Sequence, residues 1–183
     1  MNLKKAKWLE IVAVLSSLLY TVLFSYGYIL CWLFALISAS SFLLLCYQKK
    51  IYAELALQVF YLSMAVYGYF NWGEGFVSKD PLPLSSHGLI ILASAILIFL
   101  LGIGLKRLTD AKLPFLDSFT TISSISATLL MVNFYPENWL YFIVINAVSI
   151  YLYIKRDLAL GALLFALYTA LSLNGYLVWT GWW

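Results

Sequence analysis

Seven long apolar runs constrain this chain more than any other feature. They cover roughly residues 8–26, 28–47, 51–72, 87–106, 115–133, 137–154 and 157–181. A helix needs about 20 mostly apolar residues to cross the hydrocarbon core of a bilayer, and each run is close to that length. Only 10% of the residues are charged, against about 25% in soluble domains. The sequence therefore predicts an all-α integral membrane protein with seven transmembrane helices.

The basic residues predict the orientation of these helices. Cytoplasmic loops carry an excess of Lys and Arg. With a cytoplasmic N-terminus at residues 1–7, all but one of the 11 Lys and Arg residues lie on the cytoplasmic side, and only Lys79, in the external loop 73–86, lies outside. We therefore expect an external C-terminus. The basic residues are divided among short loops, so we expect no nucleic-acid partner, only the lipid bilayer.

An internal repeat links the two halves of the chain. Sliding the sequence by 107 residues places 9–72 over 116–179 without a gap. Trp32 then falls on Trp139, and Gly68 falls on Gly175. Further matches are Tyr61 on Tyr168, Tyr69 on Tyr176 and Trp72 on Trp179. This duplication predicts two parallel three-helix repeats, 8–72 and 115–183, joined by a linker helix 87–106 in a 3+1+3, SWEET-like arrangement.

Polar and aromatic side chains recur at helical spacing inside the predicted spans. Three are amides: Gln58, Asn146 and Asn174. The aromatic candidates are Tyr61, Trp139, Phe142 and Tyr168. One interpretation is interhelical packing, which small residues and polar contacts favour in membranes. The other is a substrate pocket near mid-membrane that stacks a flat ring and bonds it through the amides. Taken as a set, these residues favour the pocket.

The ionisable and sulfur-containing residues exclude several classes of protein. Asp117 follows Lys112 by five residues and is equally consistent with an interfacial ion pair or a cavity acid. The chain has two Cys, Cys31 and Cys46, and one His, His87. These are too few for a metal centre, and no nucleophile with a base is apparent. We therefore expect no metal, no cofactor and no enzymatic activity.

Several short motifs carry a resemblance to a known family. Tyr52-Ala53, Leu57-Gln58-Val59-Phe60 and Tyr67-Gly68 resemble a core helix of the PnuC family of nicotinamide riboside transporters. Four runs of this chain resemble the second half of the family's sequence: Leu116-Asp117-Ser118, Glu137-Asn138-Trp139-Leu140, Ile145-Asn146 and Leu173-Asn174-Gly175. The resemblance covers nearly the whole chain in order. It implies a bacterial inner-membrane protein that takes up a small cationic aromatic vitamin by facilitated diffusion, without a coupling ion. It also implies a homo-oligomer, a trimer.

One departure from the family pattern affects the substrate. The riboside carriers resembled here tend to have Trp-x-x-Trp where this chain has Trp139 and Phe142. Because of that difference, thiamine, the substrate of related carriers, is a second candidate substrate beside nicotinamide riboside. Both ligands carry a quaternary aromatic nitrogen, which suits aromatic faces, so the pocket chemistry leaves the two open. A structural subunit of a membrane complex, without transport, is the alternative function.

Overall fold

The computed structural model of the chain describes residues 3–49, 52–72, 77–109, 112–155 and 159–182. Residues 73–76 of the predicted external loop lie outside this set. Within it the chain forms seven helices: α1 (Leu3–Ser25), α2 (Cys31–Lys49), α3 (Tyr52–Asn71), α4 (Leu84–Leu108), α5 (Pro114–Val132), α6 (Asn138–Lys155) and α7 (Ala159–Trp179). Each begins and ends within a few residues of its apolar run. The predicted all-α class is confirmed.

The lengths and hydropathy of the helices suit a bilayer. Among the described residues, six helices are long and apolar enough to span a bilayer. The exception is α3, which has 20 residues but carries Gln58 and several tyrosines. Helix α4 is the most apolar, and large side chains such as Leu89, Leu92 and Phe99 are more than half exposed. Exposed apolar side chains of this size are stable only in lipid or against a partner. The protein is therefore an all-α membrane protein.

The first compact unit, Met1–Val77, contains α1, α2 and α3. Its middle helix, α2, contacts both of its neighbours. One polar contact links α2 to α1: the Ser38 hydroxyl donates a hydrogen bond to the Ala13 carbonyl oxygen at 3.0 Å. In lipid such bonds between helices contribute about 0.6 kcal/mol on average.

The second compact unit, Ser78–Trp183, contains α4 as well as α5, α6 and α7. Helix α4 packs on α5 in this unit, where Gly102 lies against the Phe115 ring. A β-carbon at Gly102 would lie 2.4 Å from that ring, so only glycine permits the approach. The hydroxyls of Ser94 and Ser126 lie 3.0 Å apart across the same pair of helices. The predicted linker helix is thus part of the second unit.

The turn after the first repeat helix is the same in both units. Gly27 has φ 74° and Phe134, its counterpart at offset 107, has φ 63°. The Tyr28 amide donates to the Leu23 carbonyl at 2.9 Å, and the Tyr135 amide donates to the Leu130 carbonyl at 3.1 Å. This bond with a left-handed residue is the Schellman ending of a helix. The shared turn agrees with the duplication, while the parallel arrangement of the two repeats stays a prediction.

Candidate functional site

A tryptophan of α6 lies against a glycine of α7 in the second unit. Trp139 is 2% exposed and packs on Gly175, where a β-carbon would meet the indole at 2.5 Å. The Trp179 ring stands edge-on to it, with centroids 5.5 Å apart and planes at 85°. This geometry is favourable for aromatic pairs. Trp139 is therefore held in one orientation by a close helix–helix contact.

The first unit contains the same contact among additional rings. Trp32 packs on Gly68 and stands edge-on to Trp72, with centroids 5.8 Å apart and planes at 82°. Phe24 contacts both indoles, at 5.6 Å from Trp32 and 6.1 Å from Trp72. Tyr20 lies 6.1 Å from Trp32. Three rings, two from α1 and one from the residue that follows α3, thus fill the space beside this tryptophan.

The second unit has no counterpart to two of these rings. Offset by 107, Tyr20 and Phe24 correspond to Ala127 and Met131, both buried in α5. An alanine and a flexible thioether replace two aromatic rings, and Met adapts to irregular neighbours. At the positions equivalent to Tyr20 and Phe24, the second unit therefore has smaller or more adaptable side chains.

Asn146 is a buried amide in the middle of α6. It is 5% exposed and lies two turns after Trp139. Two other amides of this unit donate to backbone carbonyls: Asn133 to that of Leu129 at 2.8 Å, and Asn138 to that of Tyr135 at 2.7 Å. The Oδ1 atom of Asn138 is buried without a partner. Buried polar groups are nearly always paired. A partner for the Asn146 amide is therefore expected, and a polar ligand or water can supply it.

The remaining predicted site residues lie in both units. Gln58 is 6% exposed and Tyr61, one turn later on α3, is half-buried. In the second unit, four half-buried predicted residues are Asp117 in the first turn of α5, Phe142 on α6, and Tyr168 and Asn174 on α7. The structure places Asn174 next to the Gly175 that contacts Trp139. Of the eight predicted site residues, Gln58 and Tyr61 thus lie in the first unit and the other six lie in the second.

A polar cluster between the start of α4 and the start of α6 was not predicted from the sequence. Glu137 is 8% exposed and its Oε1 accepts a hydrogen bond from the Leu82 amide at 2.6 Å. The same oxygen lies 3.4 Å from His87 Nε2, and His87 Nδ1 lies 3.0 Å from the Tyr141 hydroxyl. The Lys79 amide also donates to the Phe134 carbonyl at 3.0 Å. These contacts fix the segment before α4 to the start of α6. The one available signal was a lone His and a Glu directly before a helix.

Comparisons with known proteins identify the family. A family model described as nicotinamide mononucleotide transporter matches residues 7–181. The nicotinamide riboside transporter PnuC of Escherichia coli is 27% identical, over 94% of this chain and 84% of its own length. The PnuC of Neisseria mucosa is 30% identical, over 94% of this chain and 72% of its own length.

A solved structure gives the same result. The crystal structure of the vitamin B3 transporter PnuC superposes with a TM-score of 0.77, at 30% identity, over 95% of this chain and 81% of that one. These relatives are named as transporters and not as enzymes. Because the family model covers almost the whole chain and the fold agrees, the chain belongs to the PnuC family of bacterial multi-pass membrane transporters.

Proposed function

We propose that this chain carries nicotinamide riboside across the bacterial inner membrane. The relatives named as nicotinamide riboside transporters support this substrate. The buried Asn146 amide carries the proposal, because a polar group held in a membrane helix and open to a ligand is expected where a polar solute passes. The amide bonds the substrate's hydroxyl or carboxamide groups.

The aromatic groups near Asn146 receive the pyridinium ring in this proposal. Trp139 forms one wall, since its orientation is fixed by Gly175 and Trp179. Phe142 lies one turn further along α6, and Tyr168 of α7 closes the stack. A cation over an aromatic face contributes about 0.5–2 kcal/mol. The aromatic side chains therefore favour a flat cationic ring, and the amides bind the hydroxyl or carboxamide groups of the substrate.

Four further predicted residues complete the proposal. Gln58 and Tyr61 offer a second amide and a hydroxyl from α3, and Asn174 a third amide from α7. Asp117 supplies negative potential near the cytoplasmic end of the path. We further propose a cytoplasmic N-terminus, an external C-terminus and a homo-oligomer. Transport is passive, because no chain of acidic residues crosses the described helices to relay a proton.

Uptake into proteoliposomes tests this function. Reconstituted protein should equilibrate radiolabelled nicotinamide riboside across the membrane without accumulating it above the outside concentration. Thiamine and riboflavin should enter more slowly, and the Phe142→Trp variant should favour the riboside further. Absence of flux for all three compounds would support the structural-subunit alternative. Faster entry of thiamine than riboside would make thiamine the substrate, and accumulation driven by a pH or sodium gradient would contradict passive transport.

A further inference from the structure

A groove at the carboxyl end of α4 combines two cations with two aromatic rings. Its volume is about 320 Å³, and it lies within the second unit between α4 and α5. The lining residues are Phe99, Ile103, Lys106, Arg107 and Phe115. None of them was predicted to take part in the substrate site.

The apolar part of the groove is fixed by close helix packing. The Phe115 ring lies against Gly102, and its centroid is 6.4 Å from that of Phe99. Phe99 is 59% exposed, and the apolar side chains of α4 preceding it, Ile96 and Leu97, are also more than half exposed. An extended apolar surface thus leads from the membrane interior into the groove.

The polar part of the groove is positive. Lys106 and Arg107 are exposed in the last turn of α4. Among the described residues, neither cation has a carboxylate within ion-pair distance. Attraction to the negative end of the helix dipole accounts for basic residues at this position. It does not account for a groove that joins them to two rings and an apolar surface.

We propose that this groove binds an anionic phospholipid. The phosphate lies against Lys106 and Arg107, where Arg forms paired hydrogen bonds with phosphate oxygens. One acyl chain lies over Phe99, Ile103 and Phe115 and continues along α4. Basic pockets between membrane helices are suited to anionic headgroups. The occupant is lipid and not free phosphate, because most of the lining is apolar.

Lipid binding to the purified protein tests this proposal independently of transport. The readout is native mass spectrometry in detergent, with phosphatidylglycerol, cardiolipin and phosphatidylcholine added in turn. Each basic residue near an anionic lipid contributes about fivefold in affinity. The Lys106→Gln, Arg107→Gln double variant should therefore bind the two anionic lipids about 25-fold more weakly, with little change for phosphatidylcholine. Ile103→Trp keeps both charges but fills the groove, and it should also weaken binding.

Two controls separate a built site from general attraction. Lys155→Gln removes one charge from a lysine that lies over the Tyr151 ring and outside the groove. It should change anionic-lipid affinity less than twofold, while Arg107→Gln alone should weaken it about fivefold. Equal losses in Lys155→Gln and Arg107→Gln, or no loss in Ile103→Trp, would overturn the proposal. Competition by millimolar inorganic phosphate alone would identify a phosphate site instead, and a changed oligomeric state with unchanged lipid binding would identify a protein interface.

Discussion

The two compact units place a tryptophan, a glycine and a second tryptophan in the same arrangement. The indole pairs stand edge-on at 5.8 Å in the first unit and at 5.5 Å in the second. The units differ beside this shared contact. Rings surround Trp32, whereas the position of Tyr20 is taken by Ala127 and that of Ala39 by Asn146.

The difference shows how one packing solution serves two purposes. In both units a glycine lets the indole approach a neighbouring helix, which supplies van der Waals contact where lipid gives no hydrophobic driving force. In the first unit the remaining space is filled with aromatic carbon. In the second unit the same scaffold holds a buried amide at Asn146. We infer that the Trp–Gly contact stabilises both units, and that next to it only the second unit also presents the Asn146 amide to a solute.

Truncating the two central tryptophans should have the largest effect on stability. Trp32→Ala and Trp139→Ala should each lower the free energy of unfolding by about 3–5 kcal/mol, because each leaves a cavity in a close-packed contact. Denaturant titration in detergent measures this. Trp8→Ala is the matched control, since Trp8 is 69% exposed, and it should change stability by about 0.5 kcal/mol or less. A small effect at Trp32 or Trp139 would break the equivalence of the two contacts.

Adding one methyl group to the paired glycines should have the next largest effect. A β-carbon would meet the indole at 2.1 Å in Gly68→Ala and at 2.5 Å in Gly175→Ala. Overpacking of this kind costs about 1–3 kcal/mol, measurable as a lower thermal transition. Gly88→Ala and Gly104→Ala place the same methyl group in open space on α4. These controls should be neutral or slightly stabilising, and destabilisation of all four variants alike would contradict the packing account.

Removing the charge of Glu137 should have the smallest effect and should sharpen the contrast between the units. Its counterpart in the first unit is Leu30, which is 53% exposed. Glu137→Gln should lower stability by about 1 kcal/mol, because it weakens a charge-assisted bond from the Leu82 amide and the contact with His87. Hydrogen exchange of the Leu82 amide should also increase. Glu10→Gln, at an exposed acid, is the control, and an unchanged Leu82 amide would show that the carboxylate does not hold this segment.

Much of the fold could be predicted from the sequence because membrane helices are specified locally. An apolar run of about 20 residues has one stable backbone state in lipid, so the helix bounds followed from run lengths. The offset of 107 also pairs Gly68 with Gly175, and in the structure each contacts the tryptophan of its own unit, Trp32 or Trp139. The left-handed Phe134 could not be predicted, because a bulky residue rarely adopts that conformation.

The candidate site could be predicted only in part. The residue types and helical spacing of Trp139 and Asn146 made them candidates, and the structure shows both to be buried on α6. The contact of Glu137 with His87 was not predicted, since it joins residues that lie 50 positions apart in the sequence. The contacts of the Trp139 ring with Gly175 and Trp179, which fix its orientation, were not predicted either. Such details depend on how helices pack, which residue spacing alone does not determine.

The affinity of the Asn146→Leu variant for nicotinamide riboside tests the proposed function most directly. Isothermal titration should show binding about tenfold weaker than wild type, because a lost hydrogen bond that leaves a buried polar group unpaired costs about 1–3 kcal/mol. Asn133→Leu makes the same chemical change at an amide that bonds its own helix, and its affinity should stay within twofold. Wild-type affinity in a folded Asn146→Leu variant, or equal losses in both variants, would contradict the assignment of the buried amide to the substrate.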